Sequence, residues 1–218
     1  MRNRTLWVCA LGALGFASAA NAASISFNDS VPVQPTDFTS SVTVSKFNPA
    51  LGTLNSIDFK IEGAVEGSIR FESLDASPAT VSASLAASIT LQRPDLSNIV
   101  VTTPAFSVMA PLSAYDGVTD FGGTSGATFL GLSGSDTDTF TSPPPASDLA
   151  LFTGLGNITL PVKATAMSTA SGAGNLVALF LTNAGARVMV TYNYTVPEPA
   201  TLALLSFGGL FFRRRRTA

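Results

Sequence analysis

A strict alternation of apolar and small polar side chains is the feature that most limits what this chain can fold into. Val81, Ala83, Leu85, Ala87, Ile89 and Leu91 alternate with Ser82, Ser84, Ala86, Ser88, Thr90 and Gln92. A period of two puts one apolar and one mainly hydroxyl face on a strand, whereas a helix would scatter both sets around its axis. The pattern recurs with Ile57, Phe59 and Ile61 against Asp58, Lys60 and Glu62, and with Ile158, Leu160, Val162 and Ala164 against Thr159, Pro161, Lys163 and Thr165. Val188, Val190, Tyr192 and Tyr194 repeat it, and shorter strands are predicted at 24–27, 41–45, 69–74, 99–102, 128–132 and 175–181. One-sided strands separated by Gly, Pro, Asn and Asp predict an all-β chain, an antiparallel β-sandwich of jelly-roll-like or Ig-like kind.

Two stretches between the strands read as long loops. Residues 115–126 carry the glycines of a turning segment, and residues 134–145 end in Pro143-Pro144-Pro145, a stiff extended spacer. Alternating strands on both sides of Pro143 favour one folded unit over a boundary there. A chain of 218 residues is expected to hold one domain plus appendages, and a body of this size can bury a core without metal or disulfide.

The appendages lie at the two ends. Residues 1–22 read as a secretory signal peptide, with a helical apolar core from Leu6 to Ala20 behind Arg2 and Arg4, and Ala20-Asn21-Ala22 as the small-x-small cleavage pattern before Ala23. Its export route would use the Sec translocon and signal peptidase. The single Cys, Cys9, leaves with this segment, so the mature chain has no thiol. At the other end stand Pro197-Glu198-Pro199, an apolar run from Ala200 to Phe212, and Arg213, Arg214, Arg215 and Arg216. The prolines fix an extended backbone and lack amide donors, so this segment is expected to protrude where an enzyme can grip it. The apolar run has 13 residues, ~20 Å as a helix against a hydrocarbon core of ~30 Å. Such a short hydrophobic helix is expected to hold the chain in a membrane transiently, while four arginines stay cytoplasmic as a stop.

Composition excludes much chemistry. There is no histidine, hence no imidazole base, triad or metal ligand. Between Ala23 and Val196 six basic residues face thirteen acidic ones, a net of −7, and scattered Lys and Arg do not suit nucleic acid as a partner. Asp116 and Asp120, or Asp136 and Asp138, are the calcium candidates, though neither pair has EF-hand spacing. Turn aspartates in water explain them as well, and no cofactor and no resident metal are expected. Paired acids could also hydrolyse a glycoside, but nothing in the sequence marks a cleft, and a noncatalytic protein is expected. Tyr115 and Phe121, in a glycine-rich loop, are candidates for stacking on sugar rings, whereas Tyr192 and Tyr194 share a face with Val188 and Val190 and are assigned to the core.

The tripartite tail resembles the PEP-CTERM sorting signal of Gram-negative bacteria that make extracellular polysaccharide. That resemblance implies recognition of Pro197, Glu198 and Pro199 by an inner-membrane exosortase, removal of the tail, and delivery to the cell surface or extracellular matrix. The body also resembles a family, the choice-of-anchor E domain, over about residues 23–195. The resemblance is carried by Phe47-Asn48-Pro49-Ala50-Leu51-Gly52-Thr53-Leu54, Tyr115 to Gly126, Asp148-Leu149-Ala150-Leu151-Phe152-Thr153-Gly154, and Ser171-Gly172-Ala173-Gly174-Asn175-Leu176. It implies an exported, surface-associated body and brings no catalytic residue. The expectation is a structural or adhesive component of the cell surface or exopolysaccharide matrix of a biofilm-forming cell, with a carbohydrate-binding module for extracellular polysaccharide as the alternative.

Overall fold

The computed structural model describes residues 21–142 and 147–197, which form two antiparallel sheets with almost no helix. In the first sheet the order is β1 (Asn21–Pro35), β10 (Leu176–Val196), β3 (Thr53–Ser73) and β7 (Gly126–Ser142). The second sheet runs β2 (Phe38–Ser45), β8 (Asn157–Ala166), β4 (Ala79–Gln92) and β5 (Asn98–Thr102). Two more strands, β6 (Ala105–Leu112) and β9 (Thr169–Ser171), also pair with β4. Each sheet thus contains strands from both sides of the residue 143–146 segment. The inner faces share one core, in which Ile57, Phe59, Val188 and Val190 of the first sheet and Val42, Leu85, Ile89 and Leu160 of the second are buried.

The alternation that predicts strands also sets which side chains point inward. In β4 the residues Val81, Ala83, Leu85, Ala87, Ile89 and Leu91 are all buried, while their hydroxyl-bearing neighbours face outward. The strands are longer than the sequence pattern suggests. Residues 57–62 and 69–74, expected as two strands, belong to β3 except for Leu74, and residues 175–181 and 188–194 belong to β10 except for Asn175. The intervening glycine in β3 looks like punctuation but answers a close approach: a Cβ on Gly67, at φ +159°, would sit 1.7 Å from the Leu181 carbonyl oxygen. β3 and β10 run side by side from Ser73–Leu176 to Thr53–Thr195, and 21 residues at ~3.3 Å each make a body about 70 Å long.

The second expected loop is corrected. Residues 134–142 are the latter half of β7, paired with β3 from Gly63↔Asp136 to Ile57↔Ser142. Their Ser, Thr and Asp composition reads as a turn, but β7 is an edge strand whose outward side chains meet water, where Thr is a good strand former. The first expected loop is observed between β6 and β7. Four elements were not anticipated: β6, where Ala105 and Met109 blur the alternation, the three-residue β9, the short helix α1 (Ser147–Phe152) and a single 3-10 turn at Pro49–Leu51. The expected signal helix, and Ala20 with it, lies outside the described residues, as does the tail helix; Asn21 and Ala22 belong to β1. Among the described residues no helix is long and apolar enough to cross a membrane.

Candidate functional site at the tail end

Both chain termini of the described body emerge at one end of the first sheet. Antiparallel pairing of β1 with β10 places Ala23 opposite Tyr194, Ala22 opposite Thr195 and Asn21 opposite Val196. On its other side β10 pairs with β3 through Tyr194↔Leu54 and Thr195↔Thr53. Pro197 follows directly and is exposed. The candidate cleavage residues Ala22 and Ala23 therefore stand on the strand beside the one that leads into the first recognition residue, Pro197, the two strands lying about 5 Å apart laterally. Ala20, Glu198, Pro199 and Arg213–Arg216 lie outside the described residues.

Aromatic packing fixes this end of β10. The Phe47 ring, buried, lies with its centroid 5.1 Å from Tyr194 and 5.9 Å from Tyr192. Tyr192 is also met by Phe27 at 6.0 Å and Phe152 at 6.5 Å, and its hydroxyl donates to the Ser45 carbonyl at 2.8 Å. Burial pushes the Tyr192 phenol well above its usual pKa, so it is a permanent donor. Both tyrosines assigned to the core are thus accounted for, Tyr192 fully buried and Tyr194 packed against the core.

Two segments, 47–54 and 148–154, gather around this scaffold. After Phe47, Asn48 caps a single 3-10 turn at Pro49–Leu51, its Oδ1 accepting from the Ala50 amide at 3.0 Å. Gly52 then passes beneath β10, and a Cβ there, at φ +148°, would lie 2.1 Å from the Thr195 carbonyl oxygen. Phe47 exchanges backbone bonds with the end of α1 and the residues just after it, donating to Phe152 O at 2.8 Å and accepting from Gly154 N at 2.9 Å. α1 is in turn tied down by Asp148, whose carboxylate takes Arg93 Nε at 2.6 Å and Nη2 at 2.8 Å, with Ser142 Oγ at 3.0 Å. The Arg93 fork holds the buried Asp148 carboxyl below the usual carboxylate range, and raises Arg93 in return. Nothing in the sequence pairs these two residues, which are 55 positions apart.

Two further segments, 115–126 and 171–176, meet at the opposite end, the loop end. Asp75 accepts from the Gly174 amide at 2.7 Å and the Asn175 amide at 2.9 Å, while its carbonyl takes Tyr115 N at 2.8 Å. Glu72, fully buried, accepts from Ser125 Oγ at 2.5 Å and from Phe121 N at 2.7 Å. The Glu72 carboxylate and the Asp75 carbonyl thus hold the 113–125 loop, while the Asp75 carboxylate holds the 174–175 turn.

The calcium candidates do not converge on a cavity. Asp116 accepts from the Val118 amide and Asp120 from the Gly122 amide, each two residues on, as turn aspartates do. Asp136 joins β7 to the β5–β6 connection through Thr102 Oγ1 at 2.8 Å and Thr103 N at 2.9 Å, and these bonds lower its pKa. Asp138 accepts from its neighbour Thr139. Among the described residues no group of three or more acidic or Cys side chains is arranged to hold a metal ion. Of the stacking candidates, Tyr115 is half-buried with its hydroxyl 3.0 Å from Thr119 Oγ1, and Phe121 is half-buried at a φ of 60°.

Comparison with known proteins adds one informative match. No curated protein matches the chain. Among solved structures, the VP2 subviral particle of infectious bursal disease virus aligns at 13% identity, covering 96% of this chain and 53% of that one with a TM-score of 0.22. The Gx strain of the same virus aligns at 13% identity, covering 98% and 53% with a TM-score of 0.21. The chain spans about half the length of these viral chains, and such scores carry no conclusion. Residues 195–216 match the PEP-CTERM protein-sorting motif, so that the matched segment opens on the last two residues of β10 and takes in the apolar run and all four terminal arginines. The chain carries a PEP-CTERM sorting motif at its C-terminal end, which implies export, processing by an exosortase, and a cell-surface or extracellular destination.

Proposed function

We propose that this is a noncatalytic structural or adhesive component of a bacterial cell surface or exopolysaccharide matrix. In this reading its β-sandwich body, similar to the choice-of-anchor E domain, is delivered across a Gram-negative inner membrane by removal of both ends. The observation that carries the reading is the placement of the sorting motif: it begins within the ladder of the first sheet and leaves directly through Pro197. A body whose own strand runs into the motif is presented to the membrane as one piece. A structural role is supported by the way the body spends its polar groups: Asp148, Glu72 and Asp75 bind neighbouring segments of the chain.

Intact mass of the native protein from inner-membrane, outer-surface and extracellular fractions tests this. A species beginning at Ala23 and ending near Pro197, outside the inner membrane, is expected. A chain that keeps Arg213–Arg216 and stays in the inner membrane overturns the reading in favour of a lasting anchor. Release of reducing ends from the host polysaccharide by the purified protein overturns its noncatalytic part.

A further inference from the structure

The matched motif starts at Thr195, yet Thr195 and Val196 are still rungs of the first sheet. Val196 faces Asn21 alone, and Thr195 lies between Ala22 and Thr53. Asn21 and Ala22 are the last two residues on the signal side of the expected Ala22–Ala23 cut. The residues that cover the start of the tail motif are therefore the ones signal removal takes away. Resting on the processing read above, we propose that the signal segment gates the tail: signal removal must come first, because it strips the β1 residues that hold 195–196 inside the sheet.

The physical ground is the accounting of backbone bonds. An enzyme that grips an extended segment pairs with its N–H and C=O groups, and here both sides are already occupied at Thr195 and one side at Val196. Hydrolysis of the Ala22–Ala23 bond consumes one water, leaves a carboxylate on Ala22 and an amine on Ala23, and lets residues 21–22 depart with the signal. β1 then begins opposite Tyr194. Val196 has no ladder partner, and Thr195 keeps only Thr53. The opening cannot run further up β10, since Tyr194 is held by Phe47 at 5.1 Å and Tyr192 by the Ser45 carbonyl. The gate is thus two residues wide and abuts Pro197, which has no amide proton to be held by.

The test follows the full chain in its own host by pulse labelling and intact mass. Ala20→Leu with Ala22→Leu removes the small residues that signal peptidase needs; Ala22 is exposed on β1, so the ladder can persist. The doubly substituted chain is expected to keep its tail as well as its signal. A second version adds a spacer of about six Gly and Ser residues between Val196 and Pro197, ~20 Å when extended, and is expected to lose its tail while the signal stays attached. Tail loss at the wild-type rate without the spacer overturns the gate and leaves exosortase processing standing. Failure of the spacer to restore tail loss also overturns it, since the block then lies outside the ladder. A wild-type chain that keeps Arg213–Arg216 in every fraction overturns the processing reading itself and the gate with it.

Discussion

At the residue scale, two contacts hold the tail end and each makes a separate prediction. Tyr192→Phe keeps the ring packing and removes only the bond to Ser45 O, so a loss of about 1–2 kcal/mol is expected in denaturant unfolding of the processed protein. Phe47→Ala removes the ring that both tyrosines rest on and is expected to cost about 3–5 kcal/mol. The Arg93–Asp148 pair adds a dependence on pH. Because the folded-state pKa of Asp148 is depressed, its stabilisation is fully present above the unfolded value of about 4 and is lost as pH falls through the folded value. Asp148→Asn leaves the Arg93 guanidinium without its counter-charge and is expected to cost about 3 kcal/mol at neutral pH. The difference between wild type and variant should shrink below about pH 4, and unfolding midpoints at pH 7 and pH 3 check it. A gap that stays constant between the two would mean that the carboxylate charge adds nothing beyond its hydrogen-bonding shape.

At the element scale, the end of β10 depends on a turn that is not part of it. Gly52→Ala would place a Cβ against the Thr195 carbonyl at a φ unfavourable for L-residues, an expected cost of about 1–3 kcal/mol. The displacement is local, so amide exchange should quicken at Thr195 and Val196 and stay unchanged at Val188. An unchanged Thr195 would mean that the turn yields instead of the strand. Much of this architecture is legible in the sequence where side chains alternate: the inward set of β4 is written in Val81 to Leu91. It is illegible where composition and position disagree. β7 is polar because it is an edge strand, and Asp136, which looks like half of an ion site, is a tether to Thr102 and Thr103. Gly67 looks like a strand end because a sequence does not show the Leu181 carbonyl pressed against it. The tail motif, by contrast, is legible in full, since its recognition depends on local order and not on tertiary pairing. That its first two residues belong to β10 can be seen only in the ladder.

At the scale of the whole molecule, four loop-bearing segments sort into two clusters at opposite ends of a body about 70 Å long. Phe47–Leu54 and Asp148–Gly154 surround the tail end, whereas Tyr115–Gly126 and Ser171–Leu176 form the loop end around Asp75 and Glu72. If both ends of the precursor enter the membrane, the tail end faces the lipid and the loop end stands farthest from it. Whatever the surface protein touches is then met first by Val118, exposed at 57%, and by the half-buried rings of Tyr115 and Phe121 beside it. The chain offers a clean way to measure this, because its one cysteine, Cys9, lies in the expected signal segment and, once that segment is gone, single engineered thiols report without background. Val118→Cys is expected to react with a membrane-impermeant maleimide on spheroplasts both before and after tail removal. Thr53→Cys, exposed on β3 beside Thr195, is expected to be shielded while the tail holds the chain at the membrane and to become reactive on release. Equal labelling of the two sites before release would mean that the body lies along the membrane rather than standing on its tail end, and the exposed outer sheet faces would then replace the loop end as the contact surface.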